Sequence, residues 1–143
     1  MKILSVDFGD ARTGLACCDK TEFLASPVGV IKEWNMERVA EQVAAAAQEL
    51  DCGEIIIGLP LNMNGSEGPR AQKCRDFAAM VETKIQLPVR LWDERATTVT
   101  AAEYLSENGT FGKKRKNVID EVAATIILES YLNYRKNNKD NNK

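Results

Sequence analysis

Three carboxylate positions in the chain could share one divalent cation. Asp7 ends a short apolar run near the start of the chain, Glu94 follows a later apolar run, and Asp120 lies in the first turn of a predicted C-terminal helix. Functional groups in open α/β sheets gather at the carboxyl ends of strands, where Asp7 and Glu94 both fall. The small Ala123 and Ala124 follow Asp120 on nearly the same helical face. The three carboxylates can therefore meet if this helix packs across the sheet edge.

Such a cluster suits the hydrolysis of a phosphodiester. Mg²⁺ takes one or two carboxylates together with waters and phosphate oxygens, and two ions about 3.5–4 Å apart can clamp the attacking and leaving oxygens. The chain contains no histidine, which excludes Ser-His-Asp and Cys-His catalysis and a histidine-bound metal. A metal that lowers the pKa of the attacking water needs no histidine. The expected cofactor is Mg²⁺ or Mn²⁺ in a two-metal site.

The spacing alone also allows ordinary structural roles for these carboxylates. Asp120 could belong to a helix-capping arrangement with Asn117. Asp93 and Glu94 could be turn residues, with Glu94 placed where a helix N-terminus favours negative charge. Asp10, which follows the first strand, is read as a turn residue rather than a ligand.

Hydrophobic patterning predicts a mixed α/β sheet in one domain. The predicted strands cover residues 2–7, 12–18, about 28–31, 54–58 and 88–92. The predicted helices begin at an N-cap Asn35, at Pro69, at Thr97 or Thr98 and after Asn117, the last one ending at about Arg135. The expected order is β-β-β-α-β-α-β-α-α. Residues 1–135 form the expected domain, and residues 136–143 an unstructured polar tail.

Composition supports an ordinary globular domain. The 143 residues are 44% hydrophobic and 28% charged, with a net charge of −2. A nucleic-acid partner must therefore be held by a local basic patch, since no global positive field exists. The four cysteines form no C-x-x-C pair and are expected to be reduced thiols of a cytoplasmic protein. No signal peptide or membrane-spanning run is recognised, so no membrane partner is expected.

One dense basic run and several other polar side chains are candidate nucleic-acid contacts. The run consists of Lys113, Lys114, Arg115 and Lys116, read as a loop before the last helix. Arg12, Arg70 and Arg95 could extend it, and Asn62 in the glycine-rich loop 59–68 could help to hold a phosphate. The alternatives are a solvated loop for the basic run, an ordered surface turn for loop 59–68, and a carboxylate partner for Arg95.

The two tryptophans are candidates for stacking on bases. Trp34 lies just before the first predicted helix. Trp92 sits in an apolar strand, which favours a place in the core.

Four sequence blocks together resemble the YqgF/RuvX family, a branch of the RNase H-like superfamily related to RuvC resolvases. The blocks are residues 4–14 (LSVDFGDARTG), 57–68 (IGLPLNMNGSEG), 92–98 (WDERATT) and 113–124 (KKRKNVIDEVAA). They span almost the whole chain in the family's order, and the family's three acidic positions fall on Asp7, Glu94 and Asp120. Ala96 and Asn64 depart from the frequent Leu and Asp, but neither is a proposed metal ligand.

The resemblance implies an RNase H-like fold and a metal-dependent nuclease. The implied fold is a mixed five-stranded sheet, with three antiparallel strands and then two parallel ones, flanked by helices. The implied function is a divalent-metal-dependent endonuclease that processes the 5′ end of pre-16S rRNA in ribosome biogenesis. The implied partners are nucleic acid and the small-subunit precursor, with the protein acting as a monomer or a homodimer.

Other functions remain open at the level of sequence. A Holliday junction resolvase acting on branched DNA would use the same carboxylates, and a non-catalytic ribosome-assembly factor would keep the fold alone. A phosphotransferase of the sugar-kinase or actin type also ends its first strand in Asp-x-Gly, as Asp7-Phe8-Gly9 does. Those proteins duplicate the fold, and 143 residues leave no room for a second copy.

Overall fold

A five-stranded mixed sheet organises the protein. The computed structural model describes residues 1–94 and 112–141, with side chains described up to 94 and over 122–137. The strands are β1 (Ile3–Asp7), β2 (Arg12–Cys18), β3 (Ala25–Lys32), β4 (Glu54–Leu59) and β5 (Val89–Asp93). The helices are α1 (Met36–Glu49), α2 (Pro69–Lys84) and α3 (Gly112–Asn141).

The strand order in the sheet is β3-β2-β1-β4-β5. β1 pairs antiparallel with β2, and β2 antiparallel with β3, so that the first three strands form a meander. β1 pairs parallel with β4, and β4 parallel with β5. The expected arrangement of three antiparallel strands followed by two parallel ones is confirmed, and the carboxyl ends of β1, β4 and β5 meet at one edge.

Each face of the sheet is covered by its own hydrophobic core. Alternate residues of β1 and β4 point to opposite faces. Ile55 and Ile57 of β4 therefore lie in one core, and Ile56 lies in the other. One core lies under α1 and α2 and includes Val43, Phe77 and Val81. The other lies under α3 and includes Ile127 and Leu128.

The first two helices begin where their sequences predict. Asn35 caps α1, because its side-chain oxygen accepts the backbone N–H of Arg38 at 3.1 Å. Pro69 is the first residue of α2 and needs no backbone N–H there. In the described structure all four cysteines are free, with Cys17 half-buried and the other three buried.

The last helix is longer than its sequence predicts at both ends. α3 begins at Gly112, so the run from Lys113 to Lys116 lies in its first turns and not in a loop. It continues to Asn141, so residues 136–141 of the expected tail are helical. Lysine is a good helix former and no proline interrupts these segments, so the helix extends beyond the predicted N-cap Asn117 and beyond the predicted end at Arg135. The helix predicted from Thr97 or Thr98 to Asn108 lies outside the described residues.

Two buried polar contacts fix α3 on the sheet. Ser5 of β1 donates its hydroxyl to the backbone carbonyl of Ala124 at 2.8 Å. Seven residues along the helix, Tyr131 donates its hydroxyl to Glu54 Oε1 at 2.6 Å, at the start of β4. α3 therefore runs from the carboxyl edge of β1 and β4 toward their amino ends. No helix within the described ranges is long and apolar enough to cross a membrane.

Candidate active site

Two acidic side chains meet at the carboxyl edge of the sheet. Asp7 is the last residue of β1, and Glu94 directly follows β5. The backbone N–H of Glu94 donates to the carbonyl of Leu59 at 3.1 Å, which extends the parallel pairing of β4 and β5 by one step. The side chains of Asp7 and Glu94 are hydrogen-bonded to each other across the end of β4. The structure therefore brings together two of the three predicted carboxylates.

Gly58 of β4 makes the room that the Glu94 carboxylate occupies. A Cβ at position 58 would lie 2.7 Å from Glu94 Oε1 and 2.7 Å from Ile127 Cδ1 of α3. Both distances are below 3.0 Å, so a side chain at this position would displace the ends of the Glu94 and Ile127 side chains. Glu94 thus lies on the α3 face of the sheet, the face to which Ser5 points.

The environment of Glu94 favours its neutral form. Burial raises the pKa of the Glu94 carboxyl, and the negative charge of Asp93 raises it further. The hydrogen bond with Asp7 and the Arg70 guanidinium act in the opposite direction without cancelling the effect of burial. Two carboxyl groups this close share a proton when no cation is present.

Arg70 ties the loop after β1 to α2. Its Nη2 donates to the carbonyl oxygen of Phe8 at 2.6 Å, and its Nη1 lies 3.4 Å from Asp10. The loop is tight, because a Cβ on Gly9 would lie 2.1 Å from the carbonyl oxygen of Arg12. Arg70 therefore fixes the backbone beside Asp7 and places positive charge near the carboxylate pair. The Asp10 carboxylate forms ion pairs with Arg70 and Lys73, which is compatible with its predicted role as a turn residue.

Asp120 and the basic run are described by their backbone only. All of them lie on the N-terminal part of α3. Asp120 is one helical turn before Ala124, the residue anchored to Ser5. Four residues of helix cover about 6 Å, and the two residues from Ser5 to Asp7 cover about 6.6 Å in the same direction. The helix position of Asp120 is therefore level with Asp7 along the sheet.

Two of the remaining predicted contacts, Arg12 and Asn62, lie at the same edge of the sheet. Arg12 is the first residue of β2 and directly follows the loop after Asp7. Asn62 donates its side-chain amide to Ser66 Oγ at 2.9 Å, and Ser66 also donates to Asn64, so the loop after β4 is an internally bonded turn. This favours the alternative of an ordered surface turn for loop 59–68. Arg95 lies outside the described residues.

The carboxylate pair suits a hard divalent cation. Both side chains offer oxygen donors, and a cation between them would relieve the repulsion that otherwise keeps a proton on the pair. Among the side chains that the structure describes, no three of the His, Cys, Asp or Glu type form a group that could hold a metal ion. The third predicted ligand, Asp120, is not among those side chains.

The sequence carried a signal for Gly58 that the spacing of the acids did not reveal. A glycine inside a buried β-branched strand weakens that strand, and it often marks the close approach of another group. Here the approaching group is the Glu94 carboxylate. The positioning role of Arg70 had no comparable signal, because its partner Phe8 is distant in sequence.

Comparison with known proteins gives concordant results. A family model described as "RuvX: Holliday junction resolvase" matches residues 1–134. A protein of Halothermothrix orenii named "Putative pre-16S rRNA nuclease" is 44% identical over 135 residues, which cover 94% of this chain and 96% of the relative. A protein of Pelotomaculum thermopropionicum with the same name is 41% identical over 137 residues, covering 92% and 86%.

Solved structures share the fold at low sequence identity. The RuvC protein of T. thermophilus in complex with a Holliday junction substrate superposes with a TM-score of 0.57 at 13% identity, covering 89% of this chain and 91% of that one. The Holliday junction resolvase of fowlpox virus superposes with a TM-score of 0.56 at 17% identity, covering 94% and 99%. Both are resolvases of the RNase H-like fold, and the expected fold class is confirmed.

Proposed function

The chain belongs to the RuvX family, and from that premise we propose that it is a divalent-metal-dependent endonuclease that processes the 5′ end of pre-16S rRNA. The observation that carries the proposal is the hydrogen-bonded pair of Asp7 and Glu94 at the carboxyl edge of the sheet. The proposed substrate is taken from the curated relatives, because both are named as a pre-16S rRNA nuclease.

The proposed metal ligands are Asp7, Glu94 and Asp120. The ion would be Mg²⁺ or Mn²⁺, and when bound it supplies an activated water and stabilises charge on the phosphodiester. Asp7 and Glu94 hold their positions through strand pairing and through the space left by Gly58. Asp120 is included because its helix position is level with Asp7 and because the Ser5 contact fixes that height.

Basic side chains and one side-chain amide would bind the substrate backbone. The proposed contacts are Arg12, Asn62, Arg70, Arg95, Lys113, Lys114, Arg115 and Lys116. Phosphate contacts of this kind position a nucleic acid without reading its sequence. The basic run lies one to two turns before Asp120 on the same helix, which would carry the substrate backbone toward the metal ligands.

The first prediction is that Asp7→Asn abolishes cleavage and leaves the fold intact. The substitution removes a charge that the metal needs and keeps the size of the side chain. The substrate is pre-16S rRNA with its 5′ extension, offered with Mg²⁺ or Mn²⁺ both as free RNA and within small-subunit precursor particles. Thermal unfolding in chelator should match the wild type, and added Mg²⁺ should raise the melting temperature of the wild type only.

Asp76→Asn is the matched control. Asp76 is exposed on α2 and accepts a hydrogen bond from Gln72 at 2.9 Å, so the cleavage rate of this variant should be that of the wild type. Cleavage that survives in Asp7→Asn would contradict the proposal and favour a non-catalytic assembly factor.

A second function has support from the description of the family model. A Holliday junction resolvase would cut a four-way DNA junction with paired, symmetric nicks and leave the RNA whole. Offering that junction to the same two variants separates the two substrates, because the carboxylates would serve either one.

A further inference from the structure

An open cavity lies beside the candidate active site, on the opposite face of the sheet from α3. Its volume is about 380 Å³, and it is lined by Phe8, Asp10, Trp34, Met36 and Lys73. Phe8 directly follows Asp7 in the chain and packs into the core on the other face, so the cavity and the carboxylate pair lie on opposite faces at the same edge of the sheet. Ligand-binding clefts start at about 300 Å³, which makes this one large enough for a small planar group.

The floor of the cavity is rigid and apolar. Phe8 is buried and stacks on Phe77 of α2, with ring centroids 4.2 Å apart and planes 13° apart. Met36, the first residue of α1, packs against the same core. The floor is thus formed before any ligand arrives.

Trp34 forms an exposed aromatic wall. Its side chain is 78% exposed. The segment that carries it is fixed, because Glu33 Oε1 accepts the backbone N–H groups of Trp34 and Asn35, both at 3.1 Å. A bulky residue just before a helix cap often packs against the first helical turns. The exposure of Trp34 shows that it does not bury itself in this way, so its aromatic face is available to a ligand.

The rim of the cavity is charged. Lys73 Nζ lies 3.3 Å from Asp10, which also accepts from Arg70 at 3.4 Å. The three side chains together carry one net positive charge, and all are about half exposed. Exposed ion pairs contribute little to stability, so Lys73 can exchange Asp10 for an incoming anion. An aromatic face beside a cation that can bind phosphate is complementary to a nucleotide.

We propose that this cavity binds an unpaired nucleobase of the substrate, with Trp34 stacking on the base and Lys73 contacting the adjacent phosphate. The inference rests on the proposed function, because it adds a base-binding subsite beside the metal ligands. Stacking tolerates every base and requires that the base be unpaired. The subsite therefore favours a single-stranded segment next to the cleavage position over a continuous duplex.

The test measures binding with the metal removed, so that no cleavage occurs. A labelled single-stranded oligoribonucleotide and the same strand annealed to its complement are titrated with the protein in chelator. We expect Trp34→Ala to weaken binding of the single strand about 10-fold and to leave duplex binding unchanged. Trp34→Phe should restore most of the affinity, because it keeps an aromatic face. The single strand should also quench the fluorescence of Trp34, and inorganic phosphate should not.

Phe23→Ala is the matched control. Phe23 is an aromatic residue of similar exposure, at 83%, in the loop between β2 and β3, away from the cavity. The affinity of this variant for the single strand should be that of the wild type. The proposal is overturned if Trp34→Ala binds the single strand as the wild type does, if it weakens duplex binding equally, or if Phe23→Ala has the same effect.

The binding test and the cleavage test fail separately. If the protein cuts no substrate but its binding of single strands depends on Trp34, the proposed nuclease function is wrong and the proposed base-binding cavity is supported. If cleavage depends on Asp7 but Trp34→Ala binds single strands as the wild type does, the nuclease function is supported and the base-binding cavity is wrong.

Discussion

A side chain at position 58 would collide with Glu94 of the candidate active site and with Ile127 of the core. Substitution of Gly58 should therefore affect both activity and stability. The second prediction at this site is that Gly58→Ala lowers cleavage about 100-fold, because displacing a catalytic group by about 1 Å has effects of that size. The added methyl would push the Glu94 carboxylate, 2.7 Å away, and would also press on Ile127. Overpacking should also lower the free energy of unfolding by about 1–3 kcal/mol.

A double variant separates these two effects. Ile127→Val removes the Cδ1 atom that the new methyl would meet and leaves Glu94 in place. Adding it to Gly58→Ala should restore part of the stability in urea unfolding while cleavage stays low. Wild-type cleavage by Gly58→Ala would show that the position of Glu94 is not critical.

Residue types and strand ends predicted the acidic pair but not its surroundings. Asp7 and Glu94 each end an apolar run, and parallel strands bring such ends to one edge. The contact of Glu94 with Gly58 and Ile127 depends on how α3 packs across the sheet, which no local pattern encodes. Stacking by Trp34 stays a prediction, and the exposure of its side chain beside a cavity is a tertiary property that the sequence does not encode.

At the scale of elements, α3 carries the third proposed metal ligand. A polar cluster attaches the middle of this helix to the sheet. Tyr131 donates to Glu54 Oε1 at 2.6 Å, and Arg90 Nε lies 2.7 Å from the same carboxylate. Trp92 of β5 packs edge-on against Tyr131 and donates to Ser130 at 3.1 Å. Trp92 is therefore half-buried at the α3 interface, which agrees with its expected place in the core. The cluster fixes the height of α3, and with it the helix position of Asp120.

Loss of the Tyr131 hydroxyl should loosen this attachment. Tyr131→Phe should lower the free energy of unfolding by about 1–2 kcal/mol, because the buried Glu54 carboxylate loses a hydrogen bond while keeping its ion pairs with Arg90 and Arg135. Urea unfolding measures the difference. Tyr134→Phe is the control, since Tyr134 is 50% exposed, and its effect should stay within about 0.5 kcal/mol. Equal effects of the two variants would mean that the Glu54 contact does not hold the helix.

The ends of α3 show where local patterns are weakest. Asn117 looks like a cap and residues 136–141 look like a tail, yet both lie inside the helix. Neither segment contains proline, and lysine and arginine favour the helix once it has formed. The antiparallel meander, by contrast, was predicted from the close spacing of the first three strands, and the two parallel strands were implied by the family resemblance.

At the scale of the whole molecule, the net charge of −2 works against binding any nucleic acid. Binding must depend on where the positive charges lie. The run from Lys113 to Lys116 occupies the start of α3, near the carboxyl edge of the sheet. The other end of α3 lies at the amino ends of the strands, where Arg135 pairs with Glu22. The basic residues 113–116 and the basic residues Lys136 and Lys139 therefore lie at opposite ends of α3, and residues 113–116 are at the end near the candidate active site.

Neutralising the basic residues at each end in turn tests whether nucleic-acid binding depends on where the positive charges lie. Replacing Lys113, Lys114, Arg115 and Lys116 by glutamine should weaken nucleic-acid binding and flatten its salt dependence. The slope of log K against log salt concentration should fall by about 0.7–0.9 for each phosphate that the variant no longer neutralises. The control replaces Lys2, Lys20, Lys136 and Lys139, which changes the net charge equally at the opposite end of the molecule. If net charge alone governed binding, both variants would weaken it to the same degree. Because phosphate contacts are local, we expect the control to keep the wild-type slope, with affinity measured by titration at several salt concentrations.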